Sequence, residues 1–421
     1  MMSATPGTPA ISSDRLWVSL ARYARLGATA DGGVDRPVFS EADRAARALL
    51  QEDCRAIGLA IRADAAANLF AMRGGTAPSL PAILIGSHLD SVPDGGRYDG
   101  PLGVLCGLEV LATLQESGYP TRHPVGLVSL TGEEATSFGT STFGSRALAG
   151  RLPDLSANVL PDKRTVRQAL DESGGNWEAL ARARAALGPV ACFIEVHIEQ
   201  GRRLERADRA LGVVSAVTGI HRQRIDFTGR AGHAGTTAMG DRHDALRAAA
   251  RLILAVAELP SHVAGTDPEA TATVGTLTLS PNTPNVIPAA VSVVTDLRAA
   301  DAGNLEALAA AAEAAARQAA EAEAVGVRVV TILDQQPIVF DQRLRAVLLK
   351  AVRAAGGSEG ELSSQAGHDS VHMQALAPAG MIFVRCRDGI SHHPDESVTM
   401  EDAAVAAQAL LDAVIEADMR L

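Results

Sequence analysis

The chain has 421 residues, 47% of them hydrophobic and 21% charged, the composition of a soluble globular protein too long for one ordinary core, so two domains are expected. A net charge of −11 argues against nucleic acid as a partner, whose binding depends on Lys and Arg neutralising phosphates. No apolar run approaches the ~20 residues that span a bilayer, and Cys54, Cys106, Cys192 and Cys386 lie far apart with no C-x-x-C, as expected of buried free thiols in a cytoplasmic protein.

Residues 1–14 are rich in Ser, Thr, Pro and Ala without a basic start or an apolar segment, and are expected to form a disordered leader rather than a signal peptide. Leu16, Leu20 and Leu26 suggest a helix over 13–25. A second helix starts at Ser40, which can cap it, and stops at Gly58. Residues 61–72 read as a strand pair with Asn68 in a turn. The apolar run Ala82-Ile83-Leu84-Ile85 reads as a short buried strand leading into His88 and Asp90. Alternation points these two side chains the same way at the strand's C-terminal end. A loop rich in Gly, Pro and Asp then carries Asp99, and a helix follows over 104–116. In an open α/β sheet ligands sit at the carboxyl ends of strands. An imidazole and two carboxylates there suit a divalent metal; the bland alternative is a surface loop whose Asp residues cap turns.

Residues 125–130 form another buried strand, ending in Thr131-Gly132-Glu133-Glu134. This is either a solvated acidic turn or a pair in which one Glu binds metal and the other carries protons. Residues 139–151 are Gly/Ser-rich and then helical, and 162–186 supply one or two further helices. In Cys192-Phe193-Ile194-Glu195-Val196-His197-Ile198-Glu199-Gln200, alternation puts Glu195, His197 and Glu199 on one face. A lone His here could be merely half-buried and satisfied, but three ionisable groups on an apolar strand are costly to bury unpaired.

The pattern changes near Ala216. Residues 222–229 alternate, a glycine-rich loop surrounds His233, and then come a helix (244–258), strands (271–280 and 291–298), a helix (301–323) and a strand (327–333). That is a β-α-β-β-α-β order, one sheet with two helices. It reads as an insertion over 216–332 within a catalytic domain built from 15–215 and 333–421. The expected fold class is α/β: a mixed, mostly parallel sheet flanked by helices, plus the smaller α+β domain. The remaining segments are a helix (341–355), a turn with His368, a strand (381–386), Gly389-Ile390-Ser391-His392-His393-Pro394-Asp395-Glu396, and a closing helix (400–417).

Four strand ends thus carry His88/Asp99, Glu133/Glu134, His197 and His392/His393. Five ligands, one a bridging carboxylate, would hold two metal ions ~3.5–4 Å apart, and a further carboxylate beside them can act as general base.

The motifs GSHLDSVPDGGRYDG, TGEEATSFGTSTFGS, FIEVHIEQG, GRAGHAGTT, PNVIPAAVSVVTDLR, AGHDS and GISHHPDE resemble those of the di-zinc aminoacylase and carboxypeptidase-like amidohydrolases, over about residues 15–415. The resemblance is to the branch holding N-carbamoyl-L-amino-acid hydrolases, β-ureidopropionases and allantoate amidohydrolases. It implies His88, Asp99, Glu134, His197 and His392 as ligands of two divalent ions, with Asp99 bridging; zinc is expected, with Mn²⁺, Co²⁺ or Ni²⁺ as alternatives. It implies Glu133 as general base, Asp90 as the partner that orients His88, and His233 as a group that polarises the carbonyl from the inserted domain. Asn285 and Arg298 would bind the substrate carboxylate, and Gln200 and His368 would line the pocket. Relatives usually carry one His followed by Asn or Ser where this chain has His392-His393; the Gly-Ile-Ser lead selects His392. The implied reaction is hydrolysis of a carbamoyl or amidine-type C–N bond by a homodimer formed through 216–332. Allantoate or ureidoglycolate hydrolysis, exopeptidase activity and a non-catalytic ligand-binding homologue are the alternatives.

Overall fold

The computed structural model describes residues 9–134, 136–356 and 360–421. The chain divides into two compact units. One comprises the chain up to Ser215 with Phe340–Leu362 and Gly367–Leu421, and the other comprises Ala216–Val339 with Ser363–Ala366.

The first unit is built on a mixed sheet. Its strands are β1 (Ala60–Ala63), β2 (Leu69–Arg73), β3 (Ala82–His88), β4 (Val125–Leu130), β5 (Val190–Ile198), β6 (Leu211–Val217) and β13 (Ala379–Val384), in the spatial order β1-β2-β4-β3-β5-β13-β6. The four central strands, β4-β3-β5-β13, are parallel, and the flanking β1, β2 and β6 pair antiparallel. His88, His197 and the turn after Leu130 therefore emerge on the same edge, at the carboxyl ends of neighbouring parallel strands.

Alternation assigns the faces. Ile83, Ile85, Ile194, Val196 and Ile198 enter a core shared with the helices Ser13–Tyr23, Glu41–Ala56, Pro101–Ser117, Gln342–Ala354 and Met400–Arg420. Each such side chain, fully buried, contributes ~1.5–3 kcal/mol. Glu195 and His197 take the intervening positions and point away from that core. A second cluster, including Val38, Phe39, Phe138, Phe143 and Leu170, packs the segments around Phe143–Ala149 and Val166–Glu172. Ser40 caps its helix as its position suggests, accepting Asp43 N–H at 3.1 Å.

Residues 9–14 differ from the disordered leader expected over 1–14. Ile11 N donates to Gln408 and Ser12 N to Glu109, and Ser12 caps a helix that already begins at Ser13. Residues 1–8 lie outside the described residues.

The second unit has the order β7 (Gly219–Thr228), helix Ala245–Glu258, β8 (Thr271–Ser280), β9 (Ala290–Ala299), helix Ala302–Ala322 and β10 (Gly326–Gln335). Its antiparallel sheet runs β10-β7-β9-β8. Ile225, Phe227, Val293 and Leu297 pack against Leu252, Val256, Leu305 and Ala312 of the helices. This unit extends past the expected boundary at 332, because β11 (Ile338–Val339) pairs with Val217 and Ala216 at the end of β6. It also takes in the end of β12 (Glu361–Ser364), where Thr218 N donates to Ser364 O at 2.9 Å.

Candidate active site

His88 closes β3 and is fully buried. Its Nδ1 lies 3.0 Å from the Asp90 carbonyl oxygen. A carbonyl only accepts, so Nδ1 carries the proton and Nε2 keeps its lone pair in the neutral ring. Among the described residues that buried Nε2 has no hydrogen-bond partner, and it lies 3.8 Å from Asp99 Oδ1. His197 repeats the arrangement from β5: Nδ1 meets Ile198 O at 3.0 Å, and Nε2 faces Asp99 Oδ1 at 3.0 Å. Burial opposes charge on His197, but the Asp99 carboxylate outweighs it and pushes the pKa up to about 9.

Asp99 sits just ahead of the helix Pro101–Ser117. Between them Gly100, at φ +83°, lies so close to the His88 ring that a Cβ would overlap it. Burial disfavours ionisation of Asp99, yet His197, His392 and His88 together hold its pKa well below the usual carboxylate range. Its Oδ2 accepts from Gln200 Nε2 at 2.8 Å and Ser391 Oγ at 2.6 Å. His392 Nε2 stands 3.3 Å from Asp99 Oδ2 and 3.3 Å from Glu134 Oε1. Gln200 and His392 both hold left-handed φ, +56° each. Backbone strain in non-glycine residues gathers at functional sites.

Two donor groups result: His88, Asp99 and His197, and Asp99, Glu134 and His392, each with ligand atoms within 4.8 Å of one another. Asp99 belongs to both. Three imidazoles and two carboxylates form an N/O set suited to zinc and neighbouring divalent metals, and the orphaned His88 Nε2 is the lone pair that such an ion would satisfy.

The sequence places Asp90 beside His88, but its carboxylate does something else. It lies 3.7 Å from His88 Nδ1, while Oδ1 accepts the backbone N–H of Gly132 (3.1 Å) and Glu133 (3.2 Å), and Oδ2 that of Glu134 (3.1 Å). Asp90 thus contacts His88 through its carbonyl and fixes the two-glutamate turn through its side chain. Glu133 is buried; burial and then the charge of Glu134 push its carboxyl well above the usual range.

The three ionisable groups of β5 and its end separate in role. Only His197 reaches the donor cluster. Glu195 is fully buried, accepting from Ser87 Oγ (2.8 Å), Ser370 N (3.1 Å) and Ser370 Oγ (2.6 Å). Glu199 accepts from Arg203 and from Leu204 N. His368 stacks edge-on to His197 at 4.5 Å, and burial together with His197 drives its pKa well below normal, so it is a neutral ring.

His233, Asn285 and Arg298 lie in the second unit. His233 Nδ1 accepts the N–H of Gly235 (3.0 Å) and Thr236 (3.2 Å), so the ring's remaining proton is on Nε2. Asn285 neighbours it, with Ala234 N donating to Asn285 O at 3.0 Å. Arg298 pairs with Asp296 through Nε (2.8 Å) and donates from Nη1 to Gln365 O (2.6 Å).

Three residues have no role assigned from sequence: Ser391 and Glu396, which hydrogen-bond Asp99, and Asp369, which is fully buried. Each lies within a motif already noted, but its contact spans hundreds of residues. Asp369 accepts Ser145 Oγ at 2.6 Å, and burial with the Glu195 charge pushes its pKa up to about 7.

Comparison with known proteins follows the same outline. The profile of peptidase family M20/M25/M40 matches residues 84–416. The N-carbamoyl-L-amino acid amidohydrolase of Geobacillus stearothermophilus is 36% identical over 405 residues, 96% of this chain and 98% of that protein. The allantoate amidohydrolase of Bacillus subtilis (strain 168) is 32% identical, covering 92% of this chain and 94% of its own. A crystal structure of an amidase of the hydantoinase/carbamoylase family from Burkholderia multivorans superposes with a TM-score of 0.89 at 33% identity, covering 98% of this chain and 99% of that one. With a family profile spanning most of its length and relatives matched nearly end to end, this chain belongs to peptidase family M20/M25/M40.

Proposed function

We propose that this protein is a metal-dependent amidohydrolase that cleaves the C–N bond of an N-carbamoyl (ureido) amino acid. The observation that carries the reading is the pair of donor groups sharing Asp99, with the buried Glu133 beside Glu134. His88, Asp99 and His197 would hold one divalent ion, and Asp99, Glu134 and His392 the other, zinc first and Mn²⁺, Co²⁺ or Ni²⁺ as alternatives. The ions would supply Lewis-acid polarisation of the substrate carbonyl. Glu133, buried beside Glu134, would take a proton from the attacking water and return it to the departing nitrogen. The water oxygen joins the ureido carbon, the C–N bond breaks and ammonia leaves, while the remaining carbamate decays to CO₂ and the amino acid. His233, with Nδ1 already accepting two backbone N–H groups, can offer Nε2–H to the carbonyl oxygen as negative charge builds there. Arg298 and Asn285 would take the substrate carboxylate, and Gln200 and His368 would line the pocket.

A cytoplasmic homodimer formed through residues 216–332 completes the reading. The edge position of β8, its largely exposed side chains and Leu277 at 40% exposure support an edge that a second copy can cover. Relatives named for N-carbamoyl amino acids and for allantoate both align over nearly the whole chain, so the substrate is decided by assay. Ammonia release would be measured with N-carbamoyl amino acids, allantoate, ureidoglycolate and dipeptides. We expect the fastest turnover with an N-carbamoyl amino acid; cleavage of dipeptides alone would overturn the proposal.

A further inference from the structure

Asp99 and His392 lie on loops 293 positions apart in sequence, and one side chain fastens the two loops together. Glu396 is 2% exposed. Its Oε1 accepts the backbone N–H of Tyr98 at 2.8 Å and of Asp99 at 3.0 Å. Its Oε2 lies 3.4 Å from Ser391 Oγ, the same hydroxyl that donates to Asp99 Oδ2 at 2.6 Å. Glu396 N donates to His393 O, closing the loop that carries His392. Gly96 packs directly on the carboxyl group, where a Cβ would overlap it.

The two donor groups are anchored unequally. His88 and His197 lie on strands β3 and β5, each with Nδ1 on a backbone carbonyl. His392 has no strand beneath it, holds φ +56°, and its side chain is 49% exposed. Its placement against Asp99 depends on the loop that Glu396 closes.

We propose that Glu396 is a positioning residue for the Asp99, Glu134 and His392 group, fastening the backbone of Asp99 to the His392 loop. His88 and His197 keep their places through the two strands, whereas His392 depends on the fastened loop. This rests on the reading that the two groups hold divalent ions.

The test is an equilibrium titration of the metal-free full-length protein with Zn²⁺ in competition with a chromogenic chelator. The wild type should bind two ions. E396A should keep one near wild-type affinity and bind the second ~10–100-fold more weakly, as loss of a ligand-orienting partner does. E396Q retains an oxygen for the two N–H groups and should stay close to wild type. G96A should displace the carboxyl group and reproduce the selective loss. The double variant G96A/E396A should be no weaker than E396A, because both act through one contact. If E396A does not fold, G96A and E396Q carry the comparison. Titration of E396A like wild type, equal weakening of both ions, or a defect in E396Q as large as in E396A would overturn the inference. A wild-type protein that takes up no pair of ions would instead overturn the metal reading, before any variant is compared.

Discussion

Asp90 holds Glu134 by its backbone: Asp90 Oδ2 accepts the Glu134 N–H at 3.1 Å, while Oδ1 takes those of Gly132 and Glu133. All three donors need acceptors, and only a carboxylate offers one on both sides. Asp90→Asn would turn an NH₂ toward at least one N–H. Charge-assisted bonds of this kind contribute ~1.5–3 kcal/mol, so we expect a lower Tm together with a fall in kcat as the two glutamates lose their register. Thermal melts and steady-state kinetics check this. Wild-type values for both would show that the turn does not depend on Asp90.

The strand ends were legible because apolar runs and a period of two survive in the sequence wherever a strand is buried on one or both faces. His88 and His197 were therefore placed without knowledge of their neighbours. The use of each side chain was less legible. Glu195 and Glu199 share a face with His197, but one accepts from Ser87 and Ser370 and the other from Arg203 and Leu204 N. Nothing local signals those partners. Arg36 is the extreme case: it is fully buried, with its guanidinium on the carbonyls of Leu89, Tyr23 and Leu26. A charged side chain reads as surface until the turn that needs its donors is folded around it.

Glu133 and Glu134 are adjacent, and their roles separate in one experiment. Chelation should abolish activity, and Zn²⁺, Mn²⁺ or Co²⁺ should restore it. Glu133→Gln should retain the metal content of the wild type while kcat falls by ~10²–10⁴, the range of general acid–base groups. Metal analysis alongside kinetics makes the distinction. Loss of metal with an unchanged rate per bound ion would mean that Glu133 is the ligand and Glu134 the base.

A pH-dependent stability follows from His372. It is 8% exposed, its Nδ1 has no partner among the described residues, and burial together with the charges of Arg146 and Arg151 lowers its pKa from 6.5 to about 4. Between those values the unfolded chain binds a proton that the folded chain refuses, so stability rises with pH across the window. The contribution is lost progressively as pH falls from 6.5 and levels off below 4, at most about 3 kcal/mol. Denaturation in urea at several pH values, with chelator present throughout so that metal release adds no slope, should show this acid loss in the difference between wild type and a His372 variant, because His368, Asp369 and Glu133 add their own slopes to both. His372→Gln should flatten the curve between pH 6.5 and 4. An unchanged slope in the variant would assign it to other groups.

Arg298 bears on substrate choice and on assembly. Its Nε and Nη2 meet the two oxygens of Asp296, at 2.8 and 3.5 Å, and its Nη1 donates to Gln365 O, which fixes the plane of the guanidinium. On a purely structural reading that pairing is its whole purpose, and Arg298→Lys would cost stability without a selective effect on substrate. On the functional reading the held guanidinium offers the second N–H of Nη1 and of Nη2 to a carboxylate. Lysine, a point charge on a flexible stem, cannot reproduce that fork. Arg298→Lys should then raise KM for carboxylate substrates far more than it lowers kcat, and should matter little for an analogue lacking the carboxylate. Equal effects on both substrates would favour the structural reading. His233 belongs to the same unit, and with its Nε2 proton available it can serve either its own chain or, in the proposed dimer, the other. Inactive His233→Ala and Glu133→Gln chains, refolded together, separate the two cases. If His233 acts across the dimer, a hybrid contains one site with both residues intact, and part of the activity should return. Hybrids proven by differential tagging that stay inactive would mean that His233 serves its own chain or plays no part in the chemistry.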